Sequence, residues 1–115
     1  MAENKILGAR GEAIARQYFE RLGYKIVAQN YRAGRLGEID LIVETPEKLT
    51  FVEVKLRRHG PPEEAVDSRK MRRMEHLVDA YLTRHPTDKP VGFDILAVRL
   101  EGDLVERIQH FPDVI

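Results

Sequence analysis

Hydrophobic and polar residues follow two different periods along this chain, which predict helices in some segments and β-strands in others. From Gly8 to Leu22, apolar residues that include Ala15 and Phe19 recur at the spacing of one helix face. Gly23 follows and is predicted to end this helix as its C-cap. The sequence therefore predicts an amphipathic helix that turns Ala15, Phe19 and Leu22 inward, with Glu12 at the inner face of its first turn.

Period-two alternation predicts five strands, which a second helical segment interrupts. The predicted strands are Tyr24–Arg32, Glu38–Glu44, Leu49 to about Arg57, Val91–Leu100 and Leu104–Phe111. The second helix is predicted from about Glu63 to Arg84, with an apolar stripe of Val66, Met71, Met74, Leu77, Val78, Tyr81 and Leu82. The order α-β-β-β-α-β-β, without repeat or linker, predicts one α/β or α+β domain over residues 1–115, in which helices flank a mixed β-sheet. We take the α/β class as the prediction.

The second and third predicted strands form a hairpin around the turn Thr45-Pro46-Glu47-Lys48. If Glu44 pairs with Leu49, the same register places Asp40 opposite Glu53 and Glu38 opposite Lys55. Because alternate side chains of a strand share a face, these four charged residues are expected to project together. The opposite face is predicted to enter the core with Ile39, Leu41, Val43, Val52, Val54 and Leu56. In the first strand, Tyr24, Ile26 and Ala28 are predicted to share one side.

Two carboxylates that face each other across neighbouring strands destabilise a sheet, because their Cβ atoms lie only about 5 Å apart. A divalent cation is the agent that we predict to neutralise Asp40 and Glu53. Such an ion would polarise a phosphate and lower the pKa of a bound water, while Lys55 would orient that water or offset developing charge. The alternative is an exposed strand face on which Lys55 pairs with Glu38, which leaves the Asp40–Glu53 juxtaposition unexplained.

Further charged residues extend this prediction. Glu12 can add a third carboxylate from the first helix, or it can serve only as a partner of the helix dipole, worth about 0.3–1 kcal/mol. Basic residues outnumber acidic residues between Lys55 and Arg73, so this segment forms a local basic patch in a chain of zero net charge. The candidate phosphate-binding residues, each of which alone is by default a solvated surface residue, are Arg32, Arg35, Arg57, Arg58, Arg69, Lys70, Arg72 and Arg73.

Composition narrows the classes of function. The 115 residues are 43% hydrophobic and 33% charged, which is typical of a globular protein rather than a disordered one. The absence of cysteine excludes disulfides, thiol catalysis and cysteine-ligated metals. No apolar run approaches the length of a membrane span, and the N-terminal residues lack the apolar stretch of a signal peptide, so we expect no membrane and a cytoplasmic location.

Several separated motifs resemble those of the bacterial YraN-like family. They are Gly11-Glu12-x-x-Ala15, Asn30-Tyr31-Arg32, Gly37-Glu38-Ile39-Asp40-Leu41-Ile42 and Phe51-Val52-Glu53-Val54-Lys55-x-Arg57, followed by Lys70, Ala80-Tyr81-Leu82 and Phe93-Asp94-Ile95. The resemblance covers nearly the whole chain. It implies a restriction-endonuclease-like core of the PD-(D/E)xK nuclease superfamily, similar to archaeal Holliday-junction resolvases. One departure is Gly92, where the family usually has an arginine.

The resemblance implies that Asp40, Glu53 and Lys55 form a nuclease triad, with Glu12 as a helical carboxylate and Lys70 as an accessory base. We therefore expect a Mg²⁺- or Mn²⁺-dependent nuclease that acts on DNA, with branched or otherwise structured DNA as a candidate substrate. Such substrates often need two active sites, which favours a homodimer. The alternative is a module on the same fold that binds nucleic acid or a protein partner without turnover, although a pure binder has no need of opposed carboxylates.

Overall fold

The computed structural model describes residues 2–58 and 68–114, and of residues 2–8, Ser68 and Lys70 it describes the backbone but not the side chains. Two helices and five strands follow one another in these ranges in the predicted order. They are α1 (Ala2–Arg21), β1 (Lys25–Arg32), β2 (Glu38–Thr45), β3 (Lys48–Arg57), α2 (Ser68–Arg84), β4 (Val91–Glu101) and β5 (Leu104–Phe111), with a 3₁₀ turn at Gly34–Leu36. The predicted α/β class and element order are confirmed, while the predicted start of the second helix and Val66 lie outside the described residues.

The five strands form one mixed sheet in the order β1-β2-β3-β4-β5. Neighbouring strands are antiparallel except β3 and β4, which run parallel because the chain between them crosses over through α2. Helices cover both faces, so the interior strand β4 is buried almost continuously rather than at alternate positions. In the described ranges no helix has the length and apolar character needed to cross a membrane.

Two apolar clusters, one on each face of the sheet, hold the helices in place. The cluster under α1 contains Ala15, Phe19, Leu41, Val43, Val52, Leu96, Val98 and Leu100. The cluster under α2 contains Ile39, Ile42, Leu49, Phe51, Met74, Leu77, Tyr81, Phe93 and Ile95, with Met71, Val78 and Leu82 packed against it. The described part of the predicted α2 stripe is therefore confirmed. Each fully buried large side chain contributes about 1.5–3 kcal/mol, so these clusters supply most of the stabilisation.

The hairpin register is confirmed from the turn as far as Leu41, because Glu44 pairs with Leu49 and Leu41 with Val52. The predicted core face is largely confirmed, since Leu41, Val43 and Val52 are buried under α1 and both Val54 and Leu56 pack against them. The position predicted for Ile39 is wrong, because Ile39 belongs to the cluster under α2.

The predicted charged face of the hairpin is also largely apolar. Ile42 and Phe51 alternate with Leu41 and Val52, and both are fully buried under α2. The charged residues therefore occupy one end of the hairpin rather than one face of it.

The alternation of side chains in β1 is interrupted twice, and the interruptions explain these differences. A bulge between Ile26 and Ala28 shifts the register, so Ala28 packs on the α2 side and not with Ile26 as predicted. Farther along, Asn30 has a φ of 52°, in the left-handed region that asparagine tolerates better than most residues. Beyond Asn30, Tyr31 pairs with Ile39, and both side chains pack on the α2 side.

Helix α1 ends in a Schellman motif. The N–H of Tyr24 donates to the carbonyl of Phe19 and the N–H of Gly23 to that of Glu20, both at 3.0 Å, and Gly23 has a φ of +90°. The predicted glycine cap is confirmed, although the helix begins at Ala2 rather than Gly8. Leu22 lies within the cap and is 54% exposed, so its predicted inward position is wrong.

Replacing Gly23 by alanine should lower the free energy of unfolding by about 1 kcal/mol, because an L-residue is strained in the left-handed region. A Cβ atom at this position would meet no atom within 4 Å, so the cost is conformational and not steric. Urea denaturation measures it, with Gly23→Asn as the matched variant that should lose less. Equal losses for Ala and Asn, or none for Ala, would contradict the assigned cap.

Candidate functional site

The strands β2 and β3 separate at one end of the hairpin and form a fork. Their pairing runs from Thr45–Lys48 to Leu41–Val52. Beyond that point β2 stays paired with β1 as far as Glu38, and β3 stays paired with β4 as far as Arg57. Asp40 and Glu53 are the first residues past the last β2–β3 pair. The predicted ladder pairs Asp40–Glu53 and Glu38–Lys55 are therefore wrong as pairs, although Asp40 and Glu53 lie at the same fork.

The Asp40 carboxylate bridges the two strands where they separate. Its Oδ2 accepts a hydrogen bond from the backbone N–H of Val54 at 2.8 Å. A backbone donor without a neighbouring strand needs another acceptor, since a buried N–H without one costs about 1–3 kcal/mol. The Asp40 side chain thus replaces a missing rung of the sheet and is held in one orientation by β3.

The environment of Asp40 disfavours its charged form and raises its pKa from 3.8 to about 6. Burial is the largest cause, and the Val54 N–H opposes it by stabilising the carboxylate. The negative charges of Glu53 and Glu12 raise the pKa further, whereas Lys55 lowers it. Glu53 and Glu12, the other two predicted metal ligands, are therefore near enough to act on Asp40.

Glu53 and Lys55 form an ion pair at the fork, with Lys55 Nζ 2.8 Å from Glu53 Oε1. The two side chains are only 13% and 20% exposed, respectively. The alternative prediction places Lys55 on a solvated face opposite Glu38. The observed pair is instead partly buried and lies beside Asp40, so Lys55 belongs to the acidic cluster.

Helix α1 supplies Glu12 to the same end of the sheet. Gly11 is buried against Leu56, and a Cβ at Gly11 would lie 3.4 Å from Leu56 Cβ, so glycine permits this close approach of helix and strand. Asn30 Nδ2 donates to Glu12 Oε2 at 3.0 Å and fixes the carboxylate. Asn30 is a site residue that sequence reasoning missed, although a polar residue inside the first strand was an available signal.

The donor set of this cluster fits a hard divalent cation. Asp40, Glu53 and Glu12 offer only carboxylate oxygens, which suit Mg²⁺ or Mn²⁺. In the described ranges, no three His, Asp or Glu side chains already converge closely enough to enclose an ion. One oxygen of Glu53 is bonded by Lys55 and one of Glu12 by Asn30. A cation would relieve the repulsion that raises the Asp40 pKa, so the residues fit a metal by chemistry and charge.

The predicted phosphate-binding residues fall into two groups. Near the separated strand ends lie Arg32, Arg35, Arg57 and Arg58, of which Arg57 is half-buried and the others exposed. On α2 lie Arg69, Arg72 and Arg73, all exposed, whereas the side chain of Lys70 is outside the described residues. The structure therefore brings the first group toward the fork, and the second group stays on the surface of a helix.

Gly92 stands where the YraN-like family usually has an arginine, and it lies at the end of the hairpin opposite the fork. Gly92 pairs with Thr50, and a Cβ at Gly92 would lie 2.5 Å from Lys48 Cε and 2.7 Å from Asp113 Oδ1. Lys48 and Asp113 form an ion pair across this space. A larger side chain at position 92 would displace that pair, and Lys48 supplies a cation there in this chain.

These features define the chain as a mixed α/β protein with a carboxylate–lysine cluster at a fork between two strands. Residues 11–98 match the model described as "Uncharacterised protein family UPF0102", and the chain belongs to that family. The matched range includes Glu12, Asp40, Glu53 and Lys55. The resemblance to the YraN-like family is confirmed at the level of this family.

Relatives from distant bacteria share most of their length with this chain. A UPF0102 protein of Porphyromonas gingivalis is 40% identical over 114 residues, which cover 96% of this chain and 84% of the relative. A UPF0102 protein of Geobacter sulfurreducens is 41% identical over 114 residues, with 96% and 88% covered. One of Rhodococcus opacus is 40% identical over 119 residues, with 98% of each chain covered.

Replacing Asp40 by asparagine should stabilise the protein above pH 6. Because the folded state holds the Asp40 proton more tightly than the unfolded chain, the stability from that proton is complete below about pH 4 and is lost as pH rises through about 6. A pKa change from 3.8 to about 6 corresponds to about 3 kcal/mol at neutral pH. Asparagine avoids that cost and still offers an oxygen to the Val54 N–H.

Denaturant unfolding of wild type and Asp40→Asn between pH 4 and pH 8 measures this effect. The difference between the two proteins should grow with pH and level off near pH 7. A difference that is independent of pH would show that Asp40 has an ordinary pKa in the folded protein.

Proposed function

We propose that this protein is a metal-dependent nuclease that hydrolyses phosphodiester bonds in DNA, with branched or otherwise structured DNA as the candidate substrate. The observation that carries the proposal is a partly buried Asp40 at a fork in the sheet, beside the Glu53–Lys55 pair and Glu12. A structural sheet gains nothing from placing Glu53 and Glu12 where both disfavour the charged form of Asp40. The proposal includes a nuclease-like core of the PD-(D/E)xK type.

In this proposal, Asp40, Glu53 and Glu12 hold Mg²⁺ or Mn²⁺. The bound cation would polarise the scissile phosphate and lower the pKa of a water beside it. Lys55 offsets negative charge that develops on the phosphate, because its ammonium group is held at the cluster by Glu53. The Val54 N–H and the Asn30 side chain fix Asp40 and Glu12 before substrate arrives, which is the preorganisation that catalysis requires.

Binding of the nucleic-acid backbone is proposed for the basic residues around the fork and on α2. Arg57 and Arg58 follow Lys55 in the chain, so they can hold phosphates on either side of the reacting one. Such contacts are independent of base sequence and depend strongly on salt. A homodimer would present two forks to a branched substrate.

A binding module without turnover is the second candidate, and one observation favours it. Lys55 already neutralises part of the Glu53 charge, and the described acidic side chains are not preassembled around an ion. The two candidates differ in what they require of Lys55. A binder needs it only as a partner of Glu53, whereas a nuclease needs it in the transition state.

Mn²⁺ should stabilise the wild-type protein through Asp40 and Glu53. At 100 times its dissociation constant, a ligand of the folded state adds about 2.7 kcal/mol to the free energy of unfolding. The measurement is thermal unfolding with and without Mn²⁺, on wild type and on the double variant Asp40→Asn, Glu53→Gln. The control Glu44→Gln, Asp113→Asn removes two carboxylates from ion pairs elsewhere on the sheet. Equal responses of wild type and the Asp40/Glu53 variant would refute the metal site.

Lys55→Ala should lower the cleavage rate by about 10²–10³-fold while DNA affinity changes little, because the missing interaction acts in the transition state. Cleavage is assayed with Mg²⁺ or Mn²⁺ on duplex, single-stranded, flap and four-way DNA. The matched control is Lys89→Ala, which removes a comparable ion pair, to Glu44 at 2.9 Å, away from the fork. A Lys55→Ala protein that cuts as fast as Lys89→Ala, or a wild type that cuts none of these DNAs, would favour the binding module.

A further inference from the structure

A second basic feature, separate from the acidic cluster, lies on the α2 side of the sheet. A pocket of about 190 Å³ opens where the end of β1 and the 3₁₀ turn meet the last turns of α2. Its lining consists of Tyr31, Arg32, Ala33, Gly34, Ala80 and Arg84. The residues come from segments distant in sequence, so no single sequence motif predicts the pocket.

The charge of this pocket is positive, because its described lining contains two arginines and no carboxylate. Among the described residues of the lining, Arg32 and Arg84 carry the charge, and Tyr31 is the other ionisable residue. Within the described ranges, neither guanidinium forms an ion pair with a carboxylate, although Glu38 is the strand partner of Arg32. Two neighbouring guanidinium groups repel each other unless an anion lies between them, and arginine suits phosphate because its planar fork donates two hydrogen bonds.

Aromatic packing makes one wall of the pocket rigid. The ring of Tyr31 meets that of Tyr81 edge to face, with ring centroids 5.0 Å apart, and lies 6.1 Å from the ring of His85. Tyr81 is buried in the core, so Tyr31 is anchored to α2. Tyr31 therefore fixes the backbone of the neighbouring Arg32 relative to Arg84, which limits the entropic cost when both side chains bind one anion.

The pocket is close in the fold to the acidic cluster. Arg32 pairs with Glu38, and Asp40 follows Glu38 by two residues on the same strand. Asn30, which holds Glu12, precedes Arg32 by two residues on β1. The left-handed Asn30 sends Tyr31 to the α2 side, so one short segment of β1 serves the acidic cluster and the basic pocket from opposite faces.

We propose that the Arg32–Arg84 pocket binds a phosphate group of the nucleic-acid strand that the protein acts on, outside the reacting position. The nucleic-acid identity of the ligand rests on the proposed function, while the phosphate chemistry rests on the pocket alone. The other reason for a cation at position 84 is the C-terminal end of the α2 dipole. That role predicts an effect of Arg84 on stability and none on phosphate binding.

Binding in metal-free buffer tests the pocket independently of cleavage. The probes are inorganic pyrophosphate and a single-stranded oligonucleotide with and without a 5′-phosphate. The variant Arg32→Gln, Arg84→Gln is compared with the control Arg21→Gln, Arg107→Gln, which removes the same charge from exposed positions at the end of α1 and on the edge strand β5. Arg32→Lys, Arg84→Lys keeps the charge but removes the two-pronged donors, and circular dichroism checks the fold of each protein.

The pocket variant should bind oligonucleotide at least about tenfold more weakly than the control variant. For each phosphate that the variant no longer neutralises, the slope of log K against log salt should fall in magnitude by about 0.7. The lysine variant should lie between the two. If the weakening is confined to the 5′-phosphorylated strand, the ligand is a terminal phosphate, and an equal weakening on both strands identifies a backbone phosphate.

Two results would overturn the assignment. One is equal affinity and salt slope for the pocket and control variants, and the other is a wild type that binds neither pyrophosphate nor oligonucleotide. A failure of the proposed nuclease activity gives a distinguishable result. The wild type would then bind phosphate through Arg32 and Arg84 but would cut no DNA with any metal.

Discussion

The hydrogen bond from the Val54 N–H to Asp40 is the interaction on which the site depends. It closes the sheet at the point where β2 and β3 separate, so the fork can exist without an unpaired backbone donor at Val54. The same bond orients the carboxylate and places it beside Glu53 and Lys55. A backbone carbonyl of β2 in this position would instead continue the hydrogen-bond ladder between the two strands. β3 would then lie against β2, and no space for a ligand would remain.

This arrangement lowers the stability of the fold. Asp40 is partly buried, and two other carboxylates raise its pKa, so its ionisation opposes folding at neutral pH. The fold tolerates that cost because the clusters under α1 and α2 cover both faces of the sheet. Sites at which a sheet retains an unfavourable charge are candidates for function, since a neutral amide at position 40 would accept the same hydrogen bond from Val54 without that cost.

Local pattern is enough to predict the elements and most of the hairpin. The alternation on both strands and the turn at Thr45–Lys48 set the register, and the structure follows it up to Leu41 and Val52. The same pattern cannot predict the fork. A left-handed Asn30 and a bulge after Ile26 accompany it in the neighbouring strand, and the Asp40 side chain replaces a backbone acceptor there. The spacing of apolar residues indicates none of these features.

Local pattern also predicts few of the contacts between residues that are distant in sequence. Periodicity assigns Glu12 to the inner face of α1, but its hydrogen bond to Asn30 joins residues whose proximity only the packed fold determines. Arg84 is a clearer example of a contact that periodicity does not predict. Nothing in the spacing of the α2 stripe relates Arg84 to Arg32, because the pocket arises where the last turns of the helix meet the end of β1 in the packed fold.

The three carboxylates differ in their protein partners, and the difference bears on how a cation would enter. Glu53 is bonded by an ammonium group and Glu12 by a neutral amide, whereas Asp40 accepts a hydrogen bond from a backbone N–H. A divalent cation would therefore favour the charged form of Asp40, which burial and the neighbouring carboxylates penalise. In the proposed nuclease, a cation at Asp40 would lie beside the Glu53–Lys55 pair. The cation and the ammonium group would then offset charge on the same phosphate from neighbouring positions.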